Sequence, residues 1–414
     1  MTVRSCATVL LLFNIAFAAF ANEITDTSMI IDDSSGNYIV FLSERGALDN
    51  KYNAQGVDRR SALKKITKQQ DDLIHTLQSI HSKISINSKS KLIENSLHIR
   101  LPHRFVESVQ QNSNVISIEE VPYDKKLNLT PTHQKRAEFL YTAKQEVTVA
   151  IVGNGVDYTH SQLGGSGKPS VYQQVISTNK ISKQYFPTEK IIGGMTFPLV
   201  GNGHQNINYN PIENSNNLNV TEGFYPSGTV QASLILEQAP KAKIIAYKTS
   251  DLSWKQLYPS IDLIIDPNQD GILDDGPDVL LVNYFDNVDY EHKNSNALIN
   301  KHIVNISNAG IAVIAPNNQT GDLLSNIASE KMMISNVDFI THRLSTNISI
   351  TGAIVGSGNE SKEMELINGY NAAYYAGFIA KLKNKDAKFS LKNIKKFMNE
   401  KNNFITQHNE ILSD

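Results

Sequence analysis

One cysteine, Cys6, is the whole thiol content of the chain. It lies in an N-terminal stretch where Arg4 precedes an apolar run from Ala7 to Ala18 and the small-residue site Ala19-Phe20-Ala21, the three-part layout of a secretory signal peptide. Removal of residues 1–21 leaves no cysteine, which excludes disulfide cross-links and a catalytic thiol from an exported protein. Stability must then come from apolar burial, for which residues 22–414 are long enough. Charge of one sign is also missing: 39 Lys and Arg stand against 41 Asp and Glu, a formal charge of −2. The chain therefore offers no basic field for nucleic acid or anionic lipid, and neither partner is expected. The signal run is short and broken by Asn14, and no later stretch reaches the ~20 apolar residues that a membrane span requires. Internal repeats are absent, and the one biased segment is the Asn-rich loop from Asn202 to Asn219. A secreted or periplasmic location is expected.

What is present follows two grammars. From Asn37 to about Glu120 the order reads strand, helix, strand, helix, strand, opening with Tyr38-Ile39-Val40-Phe41-Leu42. A helix over about Ser61 to Ile84 turns Leu63, Ile66, Leu73, Leu77 and Ile80 inward and Lys64, Lys65, Lys68 and Asp72 to water. Leu97-His98-Ile99-Arg100-Leu101 alternates as a half-buried strand, Pro102 starts a short helix, and Val115-Ile116-Ser117-Ile118 is the last strand. This is a ferredoxin-like split βαβ pattern, a small α+β domain assigned to residues 22–124. The polar, Pro131-interrupted stretch Lys125 to Thr132 opens a linker over 125–145. Beyond it, continuous apolar runs at Val147 to Val152, Ala242 to Ala246, Val279 to Val282 and Ile311 to Ala315 have helical stretches between several of them. Such runs indicate strands buried on both faces of a parallel sheet, an α/β domain over 146–402 followed by a tail, 403–414.

Several segments of the second domain resemble one family. Val149-Ala150-Ile151-Val152-Gly153-Asn154-Gly155-Val156-Asp157-Tyr158-Thr159-His160 is similar to the strand and turn that deliver the catalytic aspartate of subtilisin-like serine proteases. Ala239-Pro240-Lys241-Ala242-Lys243-Ile244-Ile245-Ala246-Tyr247-Lys248 resembles the family's strand after the histidine helix. Asp266-Pro267-Asn268-Gln269-Asp270-Gly271 resembles a loop of its bacterial secreted members, and Ala376-Gly377-Phe378-Ile379-Ala380-Lys381-Leu382 the helix that carries the nucleophile. The resemblance spans Asn37 to Glu400, with the first domain similar to the subtilisin propeptide. It implies a doubly wound, mostly parallel sheet of about seven strands.

The family's chemistry needs an aspartate, a histidine and a serine in that order: a nucleophile, a base, and an acid that orients the base. Aligned on those motifs, the three positions hold Gly153, Ser227 and Gly369. Glycine cannot orient an imidazole, and a serine hydroxyl is too weakly basic to accept a proton near neutral pH. A two-residue shift puts Asn371 at the nucleophile instead, and no Ser, Thr or Cys occurs from Leu366 to Gly377. Asp157 and His160 read as structural. Asn317, in Ala315-Pro316-Asn317-Asn318, takes the place of the oxyanion-stabilising asparagine, and Asn283-Tyr284-Phe285 replaces the substrate-binding Ser-Leu-Gly.

The resemblance thus implies a secreted, catalytically inactive pseudoprotease that acts by binding or scaffolding on a protein or peptide partner. Its propeptide domain stays against the peptidase-like domain, since self-cleavage lacks a nucleophile. Two alternatives stand beside it. One is an endopeptidase with an altered constellation, recruiting His204, His160, Ser357 or Ser361; the other is an inhibitor whose propeptide acts on a different subtilase. No cofactor is required. Asp266, Asn268 and Asp270, followed by Gly271, have the alternating oxygen ligands and turn glycine of a Ca2+ loop, although the twelfth position of an EF-hand would be Pro277. Asp274, Asp275 or Asp278 could complete another geometry. A solvated turn explains the same residues.

Overall fold

The computed structural model describes residues 34–49, 52, 58–82, 84–121, 146–178, 180–197, 210–213, 227–249, 254–282, 293–316, 332–334 and 360–385. The segments expected to be the signal peptide, the linker and the tail lie outside the described residues.

The first unit runs β1 (Ser35–Leu42), α1 (Arg59–Ile80), β2 (Ser85–Ser90), β3 (Ser96–Pro102), a 3-10 turn at His103–Phe105, α2 (Val106–Gln110) and β4 (Val115–Val121). Its four strands pair antiparallel in the order β2-β3-β1-β4. The sequence pattern anticipates three of them; β2, Ser-Ile-Asn-Ser-Lys-Ser, has too little apolar content to register as a strand and sits at the sheet edge. Tyr38, Val40 and Leu42 of β1 pack with Leu97, Ile99 and Leu101 of β3 and Leu73 and Leu77 of α1. Lys64, Lys65, Lys68 and Asp72 are exposed. Ile80, expected on the inner face, is 40% exposed at the helix end.

The second unit continues with β5 (Thr148–Gly153), α3 (Pro169–Thr178), β6 (Ile191–Phe197), α4 (Gly228–Gln238), β7 (Lys243–Thr249), α5 (Trp254–Ile265), β8 (Val279–Val282), α6 (Lys293–Asn308), β9 (Ala312–Pro316), β10 (Met332–Ile334) and α7 (Glu360–Lys385). Among the described residues the sheet has six strands, where about seven are expected, ordered β10-β9-β8-β5-β7-β6 with every pair parallel. Alternation explains the continuous apolar runs. Val149 and Ile151, Ile244 and Ala246, Val279 and Leu281, and Ala312 and Ile314 face one core with Ile235 of α4 and Ala376 of α7. Ala150 and Val152, Ile245 and Tyr247, and Leu280 and Val282 face a second core with Ile261 of α5 and Ile303 of α6. Each strand thus needs an apolar residue at every position. The chain builds β6 and β7 on one side of β5 and then β8 to β10 on the other, so the carboxyl end of β5 is the topological switch point where open α/β sheets form ligand sites.

The two units share one core. Ile39 and Phe41 of β1, with Leu92 and Ile93 of the β2–β3 loop, belong to the same cluster as Ile261, Ile303 and the inner face of the parallel sheet. This corrects the expected half-buried strand: β3 is buried on both sides, and His98, 2% exposed, is pushed down to a pKa of about 3 by that burial. Polar contacts fix the docking. The Asp262 carboxylate on α5 accepts the backbone N–H groups of Lys91, Leu92 (2.8 Å) and Ile93 (3.1 Å). Lys301 of α6 pairs with Glu94 at 2.6 Å, and Asn305 donates to the Ile93 carbonyl at 3.3 Å.

Candidate functional site

The carboxyl end of β5 is built from glycine and backbone. Gly153 ends the strand in register with Lys248, and Asn154 bridges to the same residue. The chain then turns at Gly155, whose φ of +86° favours glycine. The turn holds the segment 210–213 beside it, because the Val156 N–H donates to the Pro211 carbonyl at 2.9 Å. Helix α4 begins against this turn: a Cβ on Gly228 would overlap the Gly155 carbonyl oxygen. A glycine at 228 is therefore required by the close approach of two backbones.

Ser227 caps α4. Its Oγ accepts the Val230 N–H at 3.3 Å, a standard answer to the unpaired N–H groups of a helix start. The same hydroxyl donates to Glu213 Oε2 at 2.9 Å. Glu213 Oε2 also accepts the Thr229 N–H at 3.0 Å and the Thr229 hydroxyl. Burial, assisted by the nearby Asp157 charge, pushes the Glu213 carboxyl above the usual range, against the pull of these hydrogen bonds. Lys248 donates to the Ile212 carbonyl at 2.8 Å, and burial lowers its pKa. Helix α7 closes the group: the Ser227 N–H donates to the Tyr370 hydroxyl at 3.4 Å, and Gln231 Nε2 donates to the Gly369 carbonyl at 3.0 Å. Gly377 allows this packing, since a Cβ there would stand 2.7 Å from the Ile235 carbonyl oxygen.

The turn after Gly153, Ser227 and Gly369 are thus neighbours, drawn from positions 153, 227 and 369 of the chain. Two of the three bring only backbone. Asp157 is committed locally, its Oδ1 accepting the Thr159 N–H (2.9 Å) and hydroxyl (2.6 Å), while its own N–H donates to Thr229 Oγ1 at 2.8 Å. His160 is exposed and caps the 3-10 turn Ser161–Leu163 through Nδ1. Asn317, His204, Ser357 and the Asn283-Tyr284-Phe285 segment lie outside the described residues, as do the side chains of Ser361 and Asn371.

No model of a known protein family matches the chain, and no curated protein matches it.

Glu213 is the residue that sequence reasoning missed. Its signal was its isolation: it is the sole acidic residue between Glu189 and Glu222, set in the apolar island Pro211-Ile212 within an otherwise Asn-rich loop. Chemically the site holds a hydroxyl with a carboxylate as partner, and Ser227 is hydrogen-bonded to no imidazole among the described residues. Oε2 already receives three donors, and Ser227 Oγ is bonded as both donor and acceptor. The hydroxyl is engaged in holding the helix start.

The second candidate is the loop between α5 and β8. Asp266 Oδ2 accepts the Gly271 N–H at 2.9 Å and Asp275 Oδ2 accepts the Asn268 N–H at 2.8 Å. Asn268 Oδ1 accepts the Asp270 N–H and Asp270 Oδ1 the Ile272 N–H. Gln269 and Gly271 adopt positive φ, +61° and +82°. Of the acids that could extend the set, Asp275 is buried, Asp274 is exposed, and Asp278 instead accepts the Thr148 N–H. Among the described residues no three His, Cys, Asp or Glu side chains are gathered as a metal site. No described helix is long and apolar enough to cross a membrane.

Proposed function

We propose that the protein is an exported, non-catalytic relative of subtilisin-like serine proteases that works by binding or scaffolding a protein or peptide, with its N-terminal domain docked in place. The observation that carries this reading is the state of Ser227. It occupies the position of the family's general base, and its hydroxyl is held between the Val230 N–H and the Glu213 carboxylate. Its neighbours at the aspartate and serine positions are Gly153 and Gly369. A nucleophile at position 369 would find, where the family places its base, only a serine hydroxyl that is too weakly basic to accept its proton. The parallel sheet with helices on both faces, the switch point at β5 and the adjacency of α4 and α7 are compatible with the family's architecture.

The Ser227–Glu213 contact favours one other reading, in which a carboxyl with an elevated pKa serves as base for Ser227 as nucleophile. One experiment separates the two. The secreted full-length chain is treated with a fluorophosphonate probe and assayed on casein, beside Ser227→Ala. The proposal expects neither labelling nor turnover, and a product beginning near Asn22. Saturable labelling that disappears in Ser227→Ala would overturn it.

A further inference from the structure

We infer that the exposed face of α1 is a docking surface for an acidic segment of a partner protein. The inference deepens the proposed function, since it rests on the reading that the protein works by binding, and it names the chemistry of what is bound. The chain has a formal charge of −2, yet residues 59–68 hold five cations, Arg59, Arg60, Lys64, Lys65 and Lys68, and no acid. Arg60, Lys64 and Lys68 recur every four residues, which spaces them about 6 Å apart along one stripe of the helix. Lys65 flanks the stripe, and these four side chains are exposed. Among the described residues none of the five is paired with an acid. Lys91 joins them from the loop after β2, its Nζ donating to Thr67 Oγ1 at 3.1 Å.

This charge does not stabilise α1. Cations at the start of a helix oppose its dipole, which favours acids there, and the first turn of α1 contains no acid. Like charges four residues apart repel, so Arg60, Lys64 and Lys68 weaken the helix further. The helix is held instead by its inner face. Ala62 and Ile66 lie in the core common to both units, and Leu73 and Leu77 in the core of the N-terminal sheet. The stripe thus stands on a rigid support, which spares a partner the cost of ordering it.

The pattern of charge selects the partner. One turn beyond Lys68 the sign changes at Asp71 and Asp72, of which Asp71 is paired with Lys89 at 2.9 Å. An anionic bilayer or a nucleic-acid duplex carries extended negative charge and would meet those acids as well as the cations. Interfacial binding to a bilayer also draws on inserted apolar side chains, and the exposed positions from Arg60 to Asp72 are Arg, Ser, Lys and Asp. A polypeptide segment of finite length fits better, with carboxylates over about two and a half turns facing Arg60 to Lys68 and ending before Asp71. Exposed ion pairs are individually weak, so several must act together and the contact must weaken with salt.

The test measures, by fluorescence anisotropy at low ionic strength, binding of the full-length protein to a labelled helical peptide with glutamates at every fourth position. Saturable binding is expected, weakening as salt rises through about 0.1 M, where the screening length is about 10 Å. Lys64→Glu/Lys68→Glu should lower the affinity about tenfold, since each exchange replaces an attraction by a repulsion. Should that variant fail to fold, Lys64→Gln/Lys68→Gln serves instead, with a smaller loss. Lys180→Glu/Lys183→Glu makes the same change of net charge at exposed positions elsewhere and should leave binding nearly unchanged. No saturation up to about 1 mM peptide would overturn the inference, and so would equal affinity in the α1 variants or an equal loss in the control. Phosphatidylserine vesicles and a DNA duplex are run beside the peptide; tighter binding to either, lost in the α1 variants, would overturn the choice of partner. Failure of any of these arms leaves the fluorophosphonate result as it stands, so it is distinguishable from failure of the non-catalytic reading.

Discussion

Replacing Asp262 by Ala tests whether one carboxylate holds the two units together. The side chain accepts three consecutive backbone N–H groups, and of these residues Leu92 and Ile93 are fully buried in the shared core, so water cannot replace the lost acceptor without opening the interface. A buried donor left unpaired costs about 1–3 kcal/mol. Two such donors give about 2–6 kcal/mol, offset in part because the variant no longer buries a carboxylate. Even the lower bound corresponds to a roughly 30-fold change in an opening equilibrium. Hydrogen exchange read by mass spectrometry over 88–95 is the direct assay. Protection of the Leu92 and Ile93 amides should fall by about tenfold or more in Asp262→Ala once the offset is taken from that bound, with strands β5 and β7 unaffected, since local opening reports regions separately. Asp262→Asn keeps one accepting oxygen and should lie between the two. Protection unchanged within a factor of three, or a loss shared equally by β5, would refute the idea that Asp262 acts as the anchor of this loop.

Glu213→Gln tests the buried carboxyl by its pH dependence. Because the folded pKa is raised, the wild-type stability from this group is fully present below the unfolded value, about 4.3, and is lost as pH rises through the folded value. The variant lacks that titration, so its melting temperature should gain on the wild type between pH 4 and pH 8; parallel profiles would contradict the assigned burial. Gly377→Ala places a methyl 2.7 Å from the Ile235 carbonyl oxygen and 2.8 Å from its Cα, which should destabilise by about 1–3 kcal/mol in urea unfolding. Gly228→Ala should be at least as damaging, since the Gly155 backbone cannot retreat without moving the β5 turn.

In the parallel sheet, hydrophobic patterning revealed the strands that are buried on both faces, and elsewhere it concealed short, polar or glycine-broken ones. β5, β7, β8 and β9 announce themselves as apolar runs because cores lie above and below them. β6 reads Ile-Ile-Gly-Gly-Met-Thr-Phe, in which glycine is needed at 194 because a Cβ would overlap the Ala246 backbone, and two adjacent glycines break the pattern of a strand. β2 is polar because it is an edge, and β10 has three residues, too few for any period. The error on β3 has a different cause. Alternation along Leu97 to Leu101 is real, but His98 is covered by tertiary docking, which no local window can contain.

The candidate site divides in the same way. Its frame was readable from Gly153-Asn154-Gly155, Gly228-Thr229 and Ala376-Gly377, since glycine is required where backbones approach and that requirement is local. Its chemistry was not readable, because the decisive partner, Glu213, lies 14 residues from Ser227 in a segment with no regular structure. The start of α4 presents unpaired helix N–H groups and a positive helix end to an interior. A serine cap satisfies one N–H, and a carboxylate bonded to the Thr229 N–H answers both the second N–H and the dipole. The hydroxyl and the carboxylate thus hold the start of α4, and the Ser227 N–H ties it to α7 through Tyr370. If so, Ser227→Asp, another strong helix cap, should leave Glu213 facing a like charge and be less stable than Ser227→Asn, which caps as well without the repulsion. The order of the two melting temperatures at pH 8 decides whether the carboxylate is the partner of that cap.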